Sequence, residues 1–142
     1  MMRDLQVVVI VVCAFVSGVA LVQSHELPSP LGTVHLSQAV LANGQRLAAG
    51  TYEVRVTGDA LAPVTGQSPD GERWIEFVKG GAVVGREVAT VISAGDIGSI
   101  AKGPRPSAGA PRVEVLKGGE YVRVWMVRGG TNYLINLRAS AE

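Results

Sequence analysis

The chain has 142 residues, 47% of them hydrophobic and 18% charged, with 13 Lys and Arg against 12 Asp and Glu, two His and a single Cys. That length suits one domain rather than two. Acids and bases are interspersed along the sequence, so it contains no basic run of the kind that tracks a phosphate backbone, and nucleic acid is not expected as a partner.

Residues 1–24 are read as an address. Arg3 gives a positive start, residues 7–22 are nearly all apolar, and small or polar residues follow at Ala20 and Ser24, the layout of a secretory signal peptide. The apolar run is short for a membrane span and is interrupted by Ser17 and Gly18. An uncleaved anchor is the alternative, and it is the one route to a membrane the sequence offers. Cys13 lies inside the apolar run behind Val12, which argues against lipid attachment there. Cleavage after Ser24, or after Ala20, leaves a cysteine-free domain bound for the periplasm or the exterior and held by its core alone. Residues 25–30, with Pro28 and Pro30, are expected to be a flexible leader, and residues 31–142 a single β domain.

From there the period is two almost throughout. In residues 33–40, Val34, Leu36 and Val40 alternate with Thr33, His35 and Ser37; in residues 51–57, Tyr52, Val54 and Val56 alternate with Thr51, Glu53, Arg55 and Thr57. Asn43-Gly44 and Gly50 punctuate the link, and Pro69-Asp70-Gly71 precedes the run Trp74 to Val78. Gly80-Gly81 then turns that run into residues 82–92. A plain two-residue turn pairs Phe77 with Val84 but sets Ile75 opposite Arg86, whereas a one-residue bulge sets Glu76 beside Arg86 and Trp74 beside Val88; the sequence leaves both open. Residues 93–102 break the pattern. Ile97, Ile100 and Ala101 have helical spacing behind a Ser93 cap, weakened by Gly95 and Gly98 to one or two turns. Residues 102–111, with three prolines, read as a loop.

Residues 113–137 contain Lys117-Gly118-Gly119 and Arg128-Gly129-Gly130. Two hairpins with Gly-Gly turns give the pairs Leu116/Tyr121, Val115/Val122, Glu114/Arg123, Val113/Val124 and Arg112/Trp125, then Arg128/Thr131, Met126/Tyr133, Trp125/Leu134, Val124/Ile135, Arg123/Asn136, Val122/Leu137 and Tyr121/Arg138. One face becomes Val113, Val115, Val122, Val124, Met126, Tyr133, Ile135 and Leu137, with no charge on it. A slip of one residue would put Glu114 or Asn136 among the valines, so the register is specified. The repeated Gly-Gly is hairpin punctuation; the GxxxxGK[ST] spacing of a phosphate loop is missing. The fold expected is all-β, an antiparallel sandwich or small barrel of about seven strands.

The stretch NGQRLAAGTYEVRV, residues 43–56, resembles an element of several groups of small secreted bacterial β-domains in which L-x-A-G-T-Y leads into a core strand. Ala48 stands where such elements often have proline. The resemblance implies an exported β-sandwich of the prealbumin or fibronectin-like kind, often an accessory or binding module. It carries no functional residue over.

Catalytic chemistry is hard to assemble. His25 falls in the leader and His35 on the polar side of its strand, and a Cys or zinc site has no residues to build it. Glu53, Glu76, Glu87 and Glu114 read as solvent-facing or cross-strand paired, and Asp59, Asp70 and Asp96 as turn or cap residues. No enzyme, metal or cofactor is expected. The candidate contact surface is the mixed face of the two hairpins, with Trp125, Tyr121, Arg123, Arg112 and Leu134 as ligand-binding residues and Arg112 stacked on Trp125, suited to a protein or carbohydrate partner. The alternative is a structural or assembly protein of the cell envelope, with that face buried in the fold or in an oligomer and both tryptophans serving as packing.

Overall fold

The computed structural model describes residues 28–59 and 71–141. The signal segment, the first half of the leader, Pro69, Asp70 and Glu142 lie outside these residues. The domain is an all-β, sandwich-like antiparallel fold: β1 Ser29–Leu36, β2 Val40–Ala42, β3 Gln45–Leu47, β4 Gly50–Val56, β5 Glu72–Lys79, β6 Ala82–Ile92, a one-turn helix α1 Ile97–Ile100, β7 Arg112–Leu116, β8 Tyr121–Arg128 and β9 Thr131–Ala139. Among the described residues nine strands stand where about seven were expected, because Asn43-Gly44 closes a hairpin of its own, Ala42 opposite Gln45, with both turn residues in the left-handed region.

Hydrogen bonding runs β1-β4-β5-β6-β9. Beyond this, β9 is long enough to pair β6 through Asn132 to Ile135 and β2 through Arg138 and Ala139, while β8 and then β7 continue from its other edge. The sheet curls, so that Val34, Leu36, Tyr52, Val54, Ile75 and Phe77 meet Val122, Val124, Met126, Ile135 and Leu137 in one core. A parallel bridge between Gly32 and Gly109 joins β1 to the segment entering β7. The approach needs glycine: a Cβ on Gly32 would lie 2.6 Å from the Gly109 carbonyl oxygen.

Several local expectations are corrected. Ser29 and Pro30, placed in the leader, pair with Val56 and Arg55; proline is tolerated because β1 is an edge strand whose outward N–H has no ladder partner to lose. The strand expected over residues 33–40 is interrupted between Leu36 and Val40, though Val34, Leu36 and Val40 are all buried as their alternation required. Between β5 and β6 the bulge is the form adopted. Val84 is the extra residue, so Phe77 faces Gly85, Glu76 faces Arg86 and Trp74 faces Val88. In the helical turn Ile97 and Ala101 are buried but Ile100 is exposed; Ser93 starts the turn through its carbonyl and Oγ, both accepting from the Asp96 N–H, and its hydroxyl donates to the Asp96 carboxylate.

Both C-terminal hairpins keep the expected ladder pairs outward from Leu116/Tyr121 and Arg128/Thr131, but Lys117, expected to face Glu120 across a two-residue turn, has left the strand. Gly129 and Gly130 form a two-residue turn with φ of 55 and 77. The other turn is wider. β7 ends at Leu116 and β8 starts at Tyr121, and Lys117 joins Gly118 and Gly119 at positive φ.

The element around residues 47–52 is structural. Leu47 is buried against Gly85 and Ala42, the Tyr52 hydroxyl donates to the Ala48 carbonyl, and its ring meets Phe77 edge-on at 6.2 Å.

Candidate contact surface

The pleat sends alternate residues of β7, β8 and β9 outward, away from the main core, and these form the mixed face. The fold divides it in two. Toward the Gly129-Gly130 turn, residues 93–101 fold over it, and Ile97 and Ala101 close a second apolar cluster with Ile92, Trp125, Val127 and Leu134. The indole N–H of Trp125 donates to Asn132 Oδ1 at 2.9 Å, and Asn132, itself fully buried, donates from Nδ2 to the Ile92 carbonyl. A buried indole N–H is costly to leave unpaired, so Asn132 is the residue that allows Trp125 to sit there.

Two of the five proposed ligand-binding residues are therefore unavailable as surface anchors: Trp125 is 2% exposed and Leu134 4%. Arg112 does pair with Trp125 across the strands, but its guanidinium turns elsewhere, donating to the Lys102 and Pro104 carbonyls and bridging Glu114 at 2.8 Å. The expected Glu114/Arg123 pair is formed, with Arg123 Nε and Nη2 at 3.1 and 2.7 Å from one carboxylate oxygen. Glu114 thus holds two arginines at once.

Toward the other end the face is open. Direct cross-strand pairs run Arg46/Leu41, Leu41/Arg138, Arg138/Tyr121 and Tyr121/Leu116, a row across β3, β2, β9, β8 and β7 that spans four strand spacings, roughly 19 Å. Arg46 and Arg138 are exposed and have no hydrogen-bond or ion-pair partner among the described residues; Leu41, Tyr121 and Leu116 are half-buried. The Lys117 ammonium lies 5.3 Å from the Tyr121 ring centroid. Beside the row are two shallow hollows of about 410 Å³ each, one lined by Gly118, Tyr121 and Arg138, the other by Ser37, Gln38 and Arg46, meeting at Gly119, Ala139 and Ser140. Arg138 and Lys117 thereby flank one tyrosine, with Glu120 lining the same hollow and Arg46 three strand spacings further along the row.

Of the predicted residues, the fold leaves Tyr121 and Arg123 on this open half. Arg46, Leu41 and Arg138 complete it and were not singled out by sequence. The Asn43-Gly44 hairpin signal places Arg46 beside Leu41, but nothing local to either segment announces that β2 pairs with β9.

Elsewhere, Trp74 is half-buried with the Arg86 guanidinium 4.9 Å from its ring centroid, and Arg86 also pairs with Asp59 at 3.0 Å. His35 Nδ1 meets the Thr51 hydroxyl at 3.1 Å on the outer face of β1 and β4. Glu87 accepts from the Asn43 and Val88 backbone N–H groups, tying the β2–β3 turn to β6. Among the described residues no three His, Cys, Asp or Glu side chains converge as a metal site would require, and no helix is long and apolar enough to cross a membrane. No family model matches the chain, and no curated protein or solved structure is significantly similar to it.

Proposed function

We propose that the chain is an exported, non-catalytic contact domain that binds a protein or carbohydrate partner bearing acidic groups through the row Arg46, Leu41, Arg138, Tyr121 and Leu116. The observation that carries this reading is the pairing that lines up a lysine-flanked tyrosine and two arginines without a hydrogen-bond or ion-pair partner among the described residues on one sheet face. Cations whose charge is not met among the described residues favour an anionic partner, and an aromatic ring in the same row supplies contact area at little entropic cost. Export rests on the layout of residues 1–24.

The test compares capture from a solubilised native envelope by the parent protein and by an Arg46→Glu/Arg138→Glu variant, with melting curves run alongside. Partners held by the parent and lost by a folded variant support the reading. Identical capture profiles would overturn it.

The structural or assembly reading keeps one specific observation in its favour, the burial of Trp125 and Leu134 within the fold itself. In that reading the mixed face is largely a second layer of packing.

A further inference from the structure

Among the described residues β7 pairs with β8 and with no other strand. Which of its backbone groups face outward follows from the hairpins. The β8–β9 ladder is closed by Gly129-Gly130 at Arg128/Thr131, and its alternation is checked at the far end, where the Ala139 N–H donates to the Glu120 carbonyl at 2.8 Å. Even-numbered residues of β8 therefore bond β9 and odd-numbered ones bond β7. The odd positions Tyr121, Arg123 and Trp125 pair with Leu116, Glu114 and Arg112, which leaves the N–H and C=O groups of Val113 and Val115 pointing to the free edge. The side chains of the same two valines are 38% and 55% exposed, although by parity they belong to the core face. Unpaired main-chain groups and exposed apolar side chains thus coincide on one short strand, which is the condition for sheet extension.

We propose that this edge pairs antiparallel with β7 of a second copy, about a two-fold axis through Val113, so that one continuous sheet crosses a homodimer. Charge selects the register. An axis through Glu114 would set the two Glu114 side chains directly opposite each other, which is unfavourable. An axis through Val115 would set Val113 opposite the partner's Lys117, whose φ of 50 has left the strand. With the axis at Val113, the intrachain Arg112–Glu114 pairs of the two copies lie side by side with each Arg112 opposite the partner's Glu114, so no like charges face each other, and Val115 faces the partner's Pro111, whose carbonyl still accepts a bond. This register uses residues 111–115 alone. It stops short of Gly109, where β1 already occupies the edge through Gly32. The surface is independent of the Arg46/Arg138 row, and its small extent implies a dimer that forms with rising concentration rather than an obligate one.

The experiment uses the full chain carrying Cys13→Ser, which removes its one cysteine. Sedimentation analysis over a concentration series should show a monomer–dimer equilibrium that Val113→Lys weakens at least about tenfold and Arg46→Glu/Arg138→Glu leaves in place. In the same background, Val113→Cys should form an intermolecular disulfide on mild oxidation, because an H-bonded pair on the axis brings its Cα atoms to about 5.5 Å, within disulfide reach. Val115→Cys should not. A monomer at every concentration, a dimer indifferent to Val113→Lys, or cross-linking at Val115 but not at Val113 would each overturn the proposal.

Discussion

Truncating Trp125 to alanine should cost more stability than truncating its neighbour Val124, although Val124 is in the main core and Trp125 faces away from it. Full burial of a tryptophan removes roughly 150–250 Å² from water, which at about 25 cal/mol per Å² sets an upper bound of about 4–6 kcal/mol. The cover over Trp125 is a single helical turn and a loop rather than a second sheet, so it can partly settle into the cavity, and the measured cost should fall near 3–4 kcal/mol. Part of that cost is electrostatic: Asn132 Oδ1 loses the one donor shown to it and stays buried. Trp125→Phe removes the N–H together with part of the bicyclic ring while keeping an aromatic in the cluster, so it should cost less than the alanine change, about 1–3 kcal/mol. For Val124→Ala about 1–3 kcal/mol is expected. Urea unfolding followed by far-UV circular dichroism gives all three values without relying on tryptophan emission. A Trp125→Ala protein within about 0.5 kcal/mol of the parent would mean that residues 93–101 do not cover the face, and the second cluster would have to be abandoned.

Two glycines without positive φ make a matched pair: Gly85→Ala drives a Cβ to 2.9 Å from Leu47 Cδ2 and should destabilise by about 1–3 kcal/mol, while Gly98→Ala meets open space inside a helical turn and should be neutral or stabilising by up to about 1 kcal/mol in the same urea assay. Lys117 holds φ 50 without being glycine, so Lys117→Gly should be neutral or slightly stabilising and Gly129→Val destabilising by more than about 1 kcal/mol; the reverse order in thermal melts would refute the turn geometry. N-terminal sequencing of the exported protein should begin near His25, or near Leu21 if Ala20 is the site used, and Met1 retained in a membrane fraction would replace secretion with anchoring.

The C-terminal hairpins were legible in sequence because two constraints met there. Gly-Gly marks where the chain reverses, and the parity of the pleat then assigns every residue between Arg112 and Arg138 to a face. Around Gly80-Gly81 the same constraints conflict, since the plain turn pairs apolar residues next to the loop while the bulge pairs Glu76 with Arg86 further out. Only the packing of Gly85 under Leu47, a residue from another hairpin, distinguishes them.

Parity, however, states which face a residue occupies and says nothing of what lies over that face. Val113 and Val124 share a face and a cross-strand pair, yet one is 38% exposed and the other fully buried, because among the described residues β7 has no strand beyond it. Trp125 and Tyr121 share the opposite face, and one is sealed under Ile97 and Ala101 while the other lies open beside Arg138. Cover depends on where residues 93–111 come to rest and on which strand reaches which edge. Those contacts join segments far apart in the chain and leave no local mark. The row of Arg46, Leu41 and Arg138 is hidden for the same reason: each residue sits in an unremarkable alternation, and only the pairing of β2 with β9 turns three separate polar-face positions into one surface. A contact site built across strands is therefore read least well at the residues that complete it, and best at the hairpin that contributes its first member.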